Sequence, residues 1–245
     1  FIDGNNCKDS VTNTIWVDTL PAVAITLPNN WCLNAEPFLL TSGMPSGGNY
    51  AINNTADTVF KSSVSGVDTV TYMYTDTNNC TNTAMATIIV DTVPVVTFAN
   101  LADACVGDGV IQLKQGAPAG GFYSGMRTSS IGFYAPVMVG TDTLNYNFTD
   151  NNGCTDSASQ MITVNALPIV SLAAFSSICQ NTGVFTLNNG TPAGGVYAGK
   201  GVNGAVFDPM LRTVGVDTVT YTYTDANNCV NKDSKALEIH EAPVA

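Results

Sequence analysis

The residues best equipped for covalent chemistry in this chain are its seven cysteines: Cys7, Cys32, Cys80, Cys105, Cys154, Cys179 and Cys229. They fall two to a stretch of about 74 residues, with one left over in an opening fragment. Regular, even cysteine usage in small units points to disulfides and an oxidising, extracytoplasmic compartment. A zinc site is disfavoured, because no C-x-x-C pair or histidine cluster accompanies them. The favoured pairing lies within units: Cys32 with Cys80, Cys105 with Cys154, and Cys179 with Cys229, at separations of 48, 49 and 50. Cys7 then finds its partner outside the chain. A closed loop of that size stabilises a unit by about 4 kcal/mol in the chain-entropy model. The alternative is a bridge between neighbouring units, since spacing alone does not fix connectivity.

Carboxylates offer a second chemistry. Asp76, Asp150 and Asp225 recur in the segments D-T-N-N-C, D-N-N-G-C and D-A-N-N-C. A lone aspartate opening an Asx-turn satisfies that pattern without catalysis. Asp18, Asp91 and Glu241 sit at unit junctions, where oxygen ligands could hold calcium; the pattern breaks at Asn165, and no dense D-x-D cluster supports it. The single histidine, His240, lies at the end of a unit. No serine or cysteine is set in a nucleophile elbow, so the chain is expected to be neither an enzyme nor the holder of a cofactor.

A third pattern is Asp followed by Ser or Thr and an apolar residue. It places a hydroxyl at Ser10, Thr19, Thr58, Thr69, Thr92, Thr143, Ser157 and Thr218. Composition alone gives roughly one or two such triplets. Strand initiation by Asp-Thr explains part of the excess, because three of the eight are copies of one position.

Those copies belong to a repeat. Pro21, Pro94, Pro168 and Pro243 step by 73 to 75 residues, as do Gly47-Gly48, Gly120-Gly121 and Gly194-Gly195. A fixed period marks one structural unit copied in series. The copies run 21–93, 94–167 and 168–242, with 1–20 as the closing strands of a truncated copy and 243–245 as the start of another. Within a unit the clearest strand is 216–225, where Val219, Tyr221 and Tyr223 alternate with Thr218, Thr220 and Thr222. Asn and Gly in the following turn tolerate positive φ and predict a tight hairpin into a closing strand, such as 84–90. Short strands at this spacing predict an all-β fold of immunoglobulin-like antiparallel sandwiches arranged as a rod. Residues 8–20 read as a closing strand, with Val11, Ile15 and Val17 seeking a sheet.

Composition narrows the partners. The 245 residues carry a net charge of −11 with a pI near 4.1, which disfavours nucleic acid because no basic patch can displace counterions. Only 11% of residues are charged, so the surface is mostly neutral and polar. No apolar run is long enough to span a membrane.

The strings G-T-P-A-G-G-V-Y-A-G-K-G-V-N-G-A-V-F-D-P and V-D-T-V-T-Y-T-Y-T-D-A-N-N-C resemble the immunoglobulin-like (PKD-like) repeats of very long surface proteins in Bacteroidota-type bacteria. The likeness covers nearly the whole chain and is strongest in the third copy. It implies export by type IX secretion and service as an adhesin, stalk or filament at the cell surface, with copies of the protein as partners. It also implies that the eight hydroxyls above accept covalent O-glycans. The alternative is a carbohydrate- or surface-binding module with its site in loops at one sandwich end, which an exposed aromatic platform would favour.

Overall fold

A computed structural model describes residues 1–243, so Val244 and Ala245 of the expected further repeat lie outside the described residues. The chain forms two compact units, Phe1–Val95 with Thr149–Asp156, and Val96–Phe148 with Ser157–Ala245; each is taken by itself below. Among the described residues the structure is all β apart from one 3-10 turn, Pro209–Leu211, capped by Asp208.

The same strands appear in each copy. The penultimate strands are Gly66–Thr75, Gly140–Thr149 and Gly215–Thr224, and the closing strands are Thr81–Asp91, Thr155–Asn165 and Val230–His240. Each penultimate strand lies between its closing strand and a strand that follows the glycine pair: Asn49–Ile52, Phe122–Gly125 or Val196–Ala198. On the far side of the closing strand comes a short edge strand, Asn30–Cys32, Ala104–Cys105 or Ile178–Cys179. Unlike the rest of the sheet it runs parallel to its neighbour, pairing Cys32 with Asp91, Cys105 with Asn165 and Cys179 with His240. Small two- or three-stranded sheets face this one, such as Phe38–Leu39 with Val59–Phe60 and Phe185–Thr186 with Val206–Phe207. Between the layers lie Leu40, Phe60, Val70, Ile88 and Val90 in the first copy, with equivalent clusters in the others. This is the two-layer sandwich that the alternating strands require, since each buries one face only.

The glycine pair is explained by a tyrosine. The hydroxyls of Tyr72, Tyr146 and Tyr221 accept the N–H of Gly48, Gly121 and Gly195 and donate to the carbonyls of Pro45, Pro118 and Pro192. A Cβ on Gly195 would stand 2.5 Å from both the Thr222 carbonyl and the Tyr221 ring, so only glycine fits. Its neighbour Gly194 has φ +96, the left-handed region that glycine adopts freely. The same tyrosine rings pack, tilted by 44 to 49°, against Tyr50, Tyr123 and Tyr197 with centroids 4.7 to 4.8 Å apart.

Residues 9–20 take no strand partner among the described residues, although Phe1 and Asp9 bond to each other through their backbones.

Candidate functional site

The site that the cysteines build is a junction between one copy's hairpin tip and the edge strand of the copy before it. The tip is fixed by its aspartate. Asp150 Oδ1 accepts from the N–H of Asn152 and Cys154, both at 2.9 Å, while its own N–H donates to the Cys154 carbonyl at 2.9 Å. Asp76 and Asp225 repeat these bonds with Asn78, Cys80, Asn227 and Cys229, and Asp3 repeats them with Asn5 and Cys7. The residue before each cysteine has positive φ: Asn6, Asn79, Gly153 and Asn228. The turn therefore holds the cysteine in one orientation, and the recurring carboxylates serve as backbone acceptors.

The receiving half is equally regular. After each edge cysteine the chain turns back: Ala35, Asp108 and Thr182 donate to the carbonyls of Cys32, Cys105 and Cys179 at 2.9, 3.0 and 2.9 Å. Leu33, Val106 and Gln180 donate to the last residue of the neighbouring closing strand, Asp91, Asn165 or His240.

In the first unit Cys32 is bonded to Cys154, and in the second Cys105 is bonded to Cys229. The Cα atoms stand 5.5 Å apart in both, within the range that a disulfide requires. The pairing expected within units is thereby corrected. Cys80 does not join Cys32, Cys154 does not join Cys105, and Cys229 does not join Cys179. The reason lies in strand length: Cys80 precedes the closing strand, whereas Cys32 lies beside Asp91 at its far end. Eleven residues of strand separate the two by roughly 35 Å. Both bridges instead connect a tip to the preceding copy's edge strand, across 122 and 124 residues. Cys7, Cys80 and Cys179 remain thiols.

Polar contacts reinforce the first junction. Asn34 donates to the Thr155 carbonyl at 2.9 Å, and the Asp91 carboxylate accepts from Asn152 at 3.0 Å and Asn30 at 3.1 Å. The calcium candidate Asp91 is thus engaged by amides. Glu241 is exposed beside the pair His240 and Glu238, whose closest N–O distance is 3.8 Å. Among the described residues no group of three or more His, Cys, Asp or Glu converges on one point. Burial, Asp76 and Asp18, in that order, raise the Cys80 thiol above its ordinary range.

Three of the Asp-Thr triplets have a role that the sequence did not disclose. Asp142 is buried, takes a bidentate bond from Arg127 and accepts from Tyr134. Burial alone would push its carboxyl up, but the Arg127 and Tyr134 bonds hold it below the usual carboxylate range. Asp217 is held low chiefly by its bond to Arg212, and Asp68 accepts from Asn53. The neighbouring Thr143 and Thr218 are exposed, while Thr69 is half-buried. Ser10, Thr19, Thr58, Thr92 and Ser157 are all exposed. The two tryptophans form no shared platform: Trp31 packs on Phe38 and Phe60, whereas Trp16 is exposed.

Fold and junction together define an all-β protein of immunoglobulin-like sandwiches, cross-linked from one copy to the next. No family model matches the chain, and no curated protein matches it significantly. Among solved structures it is similar to a calcium-stabilised adhesin with which an Antarctic bacterium binds ice, at 14% identity over 93% of this chain and 76% of that one, TM-score 0.38. A 1.5-MDa bacterial ice-binding adhesin matches at 14% identity over 79% and 85%, TM-score 0.33. Protocadherin gamma B2 domains 3–6 match at 10% over 92% and 79%, TM-score 0.24. These are likenesses of architecture alone.

Proposed function

We propose that this chain is a stretch of an extracellular array of immunoglobulin-like repeats that serves as a non-catalytic stalk or filament in surface adhesion. The observation that carries the reading is the pair of bridges, each tying a hairpin tip to the preceding copy. A disulfide inside a domain stabilises that domain. A disulfide between consecutive domains also restrains how one can be pulled from the next, which is the demand placed on a load-bearing array. Persistence of two bridges requires an oxidising setting outside the cytosol. The resemblance to Bacteroidota-type surface repeats supplies the cell surface, type IX export and a rod-like assembly of many copies.

The sparsely charged surface accords with O-glycans on those hydroxyls of the Asp-Ser/Thr triplets that are exposed. Native peptides carrying Thr143 and Thr218 are expected to show excess mass; unmodified peptides at both would remove the sugars from this reading. The array itself is tested by electron microscopy of native material labelled with antibody against residues 21–242. Labelled filaments or stalks at the cell surface are expected, and label confined to the cell interior contradicts the proposal.

A further inference from the structure

Three halves of the junction stand without their complement among the described residues: the edge strand at Cys179 and the tips at Cys80 and Cys7. Cys179 ends its edge strand opposite His240, in the register in which Cys32 lies opposite Asp91 and Cys105 opposite Asn165; both of those counterparts are bonded to a tip cysteine. Beside Cys179 lies an open depression of about 250 Å³ lined by Gln180, Asn181, Met210 and Ala242. Gln180 and Asn181 take the places of Leu33 and Asn34, and Asn34 is the residue that donates to the incoming tip at Thr155. The depression therefore lies where a tip rests in the complete junction.

A second half is at Cys80, whose tip has the same bonds to Asp76 that Cys154 has to Asp150. The Asp18 carboxylate acts on the Cys80 thiol. Asp18 holds the place of Asp91, the residue opposite Cys32 that accepts from the tip's Asn152. The Cys80 tip is thus built as in the complete junction, and among the described residues no edge-strand cysteine is bonded to it. Residues 9–18 likewise face no sheet among the described residues. Ile15 and Val17 are 84% and 88% exposed, whereas their counterparts Ile88 and Val90 are 0% and 2% exposed. The three copies in this chain already hold their closing strands, so a second copy of residues 1–245 offers residues 8–18 no sheet to enter.

We infer that Cys179 takes the hairpin-tip cysteine of a following repeat and Cys80 takes an edge-strand cysteine, opposite Asp18, of a preceding one. Both partners are repeats of this same kind in one polypeptide, and the inference rests on reading the chain as part of an array. The step is a two-electron oxidation by a disulfide oxidoreductase. The Cys179 thiolate attacks the oxidant's disulfide and forms a mixed disulfide, with one sulfur leaving as thiolate. The tip's thiolate then displaces the second sulfur. The new S–S bond joins the repeats, and the oxidant leaves as a dithiol that has gained the two electrons and the two protons.

The test is non-reducing peptide mapping of the native protein. The expected result is Cys179 linked to a D-x-N-x-C or D-x-x-G-C peptide, and Cys80 linked to a short strand ending in cysteine, both from sequence outside residues 1–245. Free thiols or small-thiol adducts at Cys179 and Cys80, a bond between those two, or a link from Cys179 to Cys7 of a second copy would each overturn the inference. Surface filaments seen by microscopy together with free Cys179 would remove the open junctions and leave the array standing. Absence of filaments with both links present would do the reverse.

Discussion

At the scale of single residues, one tyrosine hydroxyl recurs in every copy and one buried carboxylate is particular to the second. The Tyr221 hydroxyl satisfies both the Gly195 N–H and the Pro192 carbonyl. Tyr221→Phe leaves both unpaired in a partly buried site, which costs about 1 kcal/mol or somewhat more. Gly195→Ala is expected to cost more, because the added Cβ meets backbone as well as ring. Chemical denaturation of the oxidised chain measures both; a loss below about 0.5 kcal/mol for Tyr221→Phe would contradict the clamp. The second group is Asp142. Its folded pKa lies below its unfolded value, so its contribution is fully present above the ordinary carboxylate range and is lost as pH falls through the depressed value. Arg127→Met strands a buried carboxylate and is expected to cost about 3 kcal/mol at neutral pH. Burial then raises Asp142, so the penalty shrinks as the solution is acidified. A penalty that stays constant from pH 7 to pH 4 would show that Asp142 does not depend on Arg127.

At the scale of elements, the hairpin was the most legible part of the chain. Alternation placed Val219 and Tyr221 in the core, and Asn or Gly before the cysteine announced the positive φ that the turn adopts. The second glycine of each pair was visible as a repeat, but its reason was not, since the tyrosine that excludes a Cβ comes about 25 residues later. Arg127 and Arg212 are not legible as partners in the sequence, because they occupy different places in their copies and meet Asp142 and Asp217 only through folding. The disulfide connectivity was invisible for a geometric reason. Separations of 48 to 50 within units were as regular as those of 122 and 124 between them, and only the parallel edge strand sends the first cysteine to the far end of the sheet. The tip's own construction is testable here. Asp150→Ala removes the acceptor for two backbone N–H groups, so the Cys32 to Cys154 bridge should form in lower yield during oxidative refolding, while Cys105 to Cys229 is unaffected. Equal yields of both bridges would show that the turn does not preset the cysteine.

At the scale of the whole molecule, the two bridges close overlapping loops, since residues 105–154 lie inside both. A loop of this length is worth about 5 kcal/mol in the chain-entropy model, and shared chain makes the pair worth less than twice that. Cys105→Ala with Cys229→Ala should therefore lower the stability of the second unit by a few kcal/mol. The central claim is that bonds run between copies, and trypsin reads it directly. Cleavage after lysine and arginine places Cys32 in 9–61, Cys80 and Cys105 in 62–114, Cys154 and Cys179 in 128–200, and Cys229 in 213–232. With thiols blocked before digestion of the oxidised chain and no reductant added, mass spectrometry should find two separate linked pairs, 9–61 with 128–200 and 62–114 with 213–232. A single species holding all four peptides, linked as 9–61 to 62–114 to 128–200 to 213–232, would mean that the bonds lie within copies and would contradict the account.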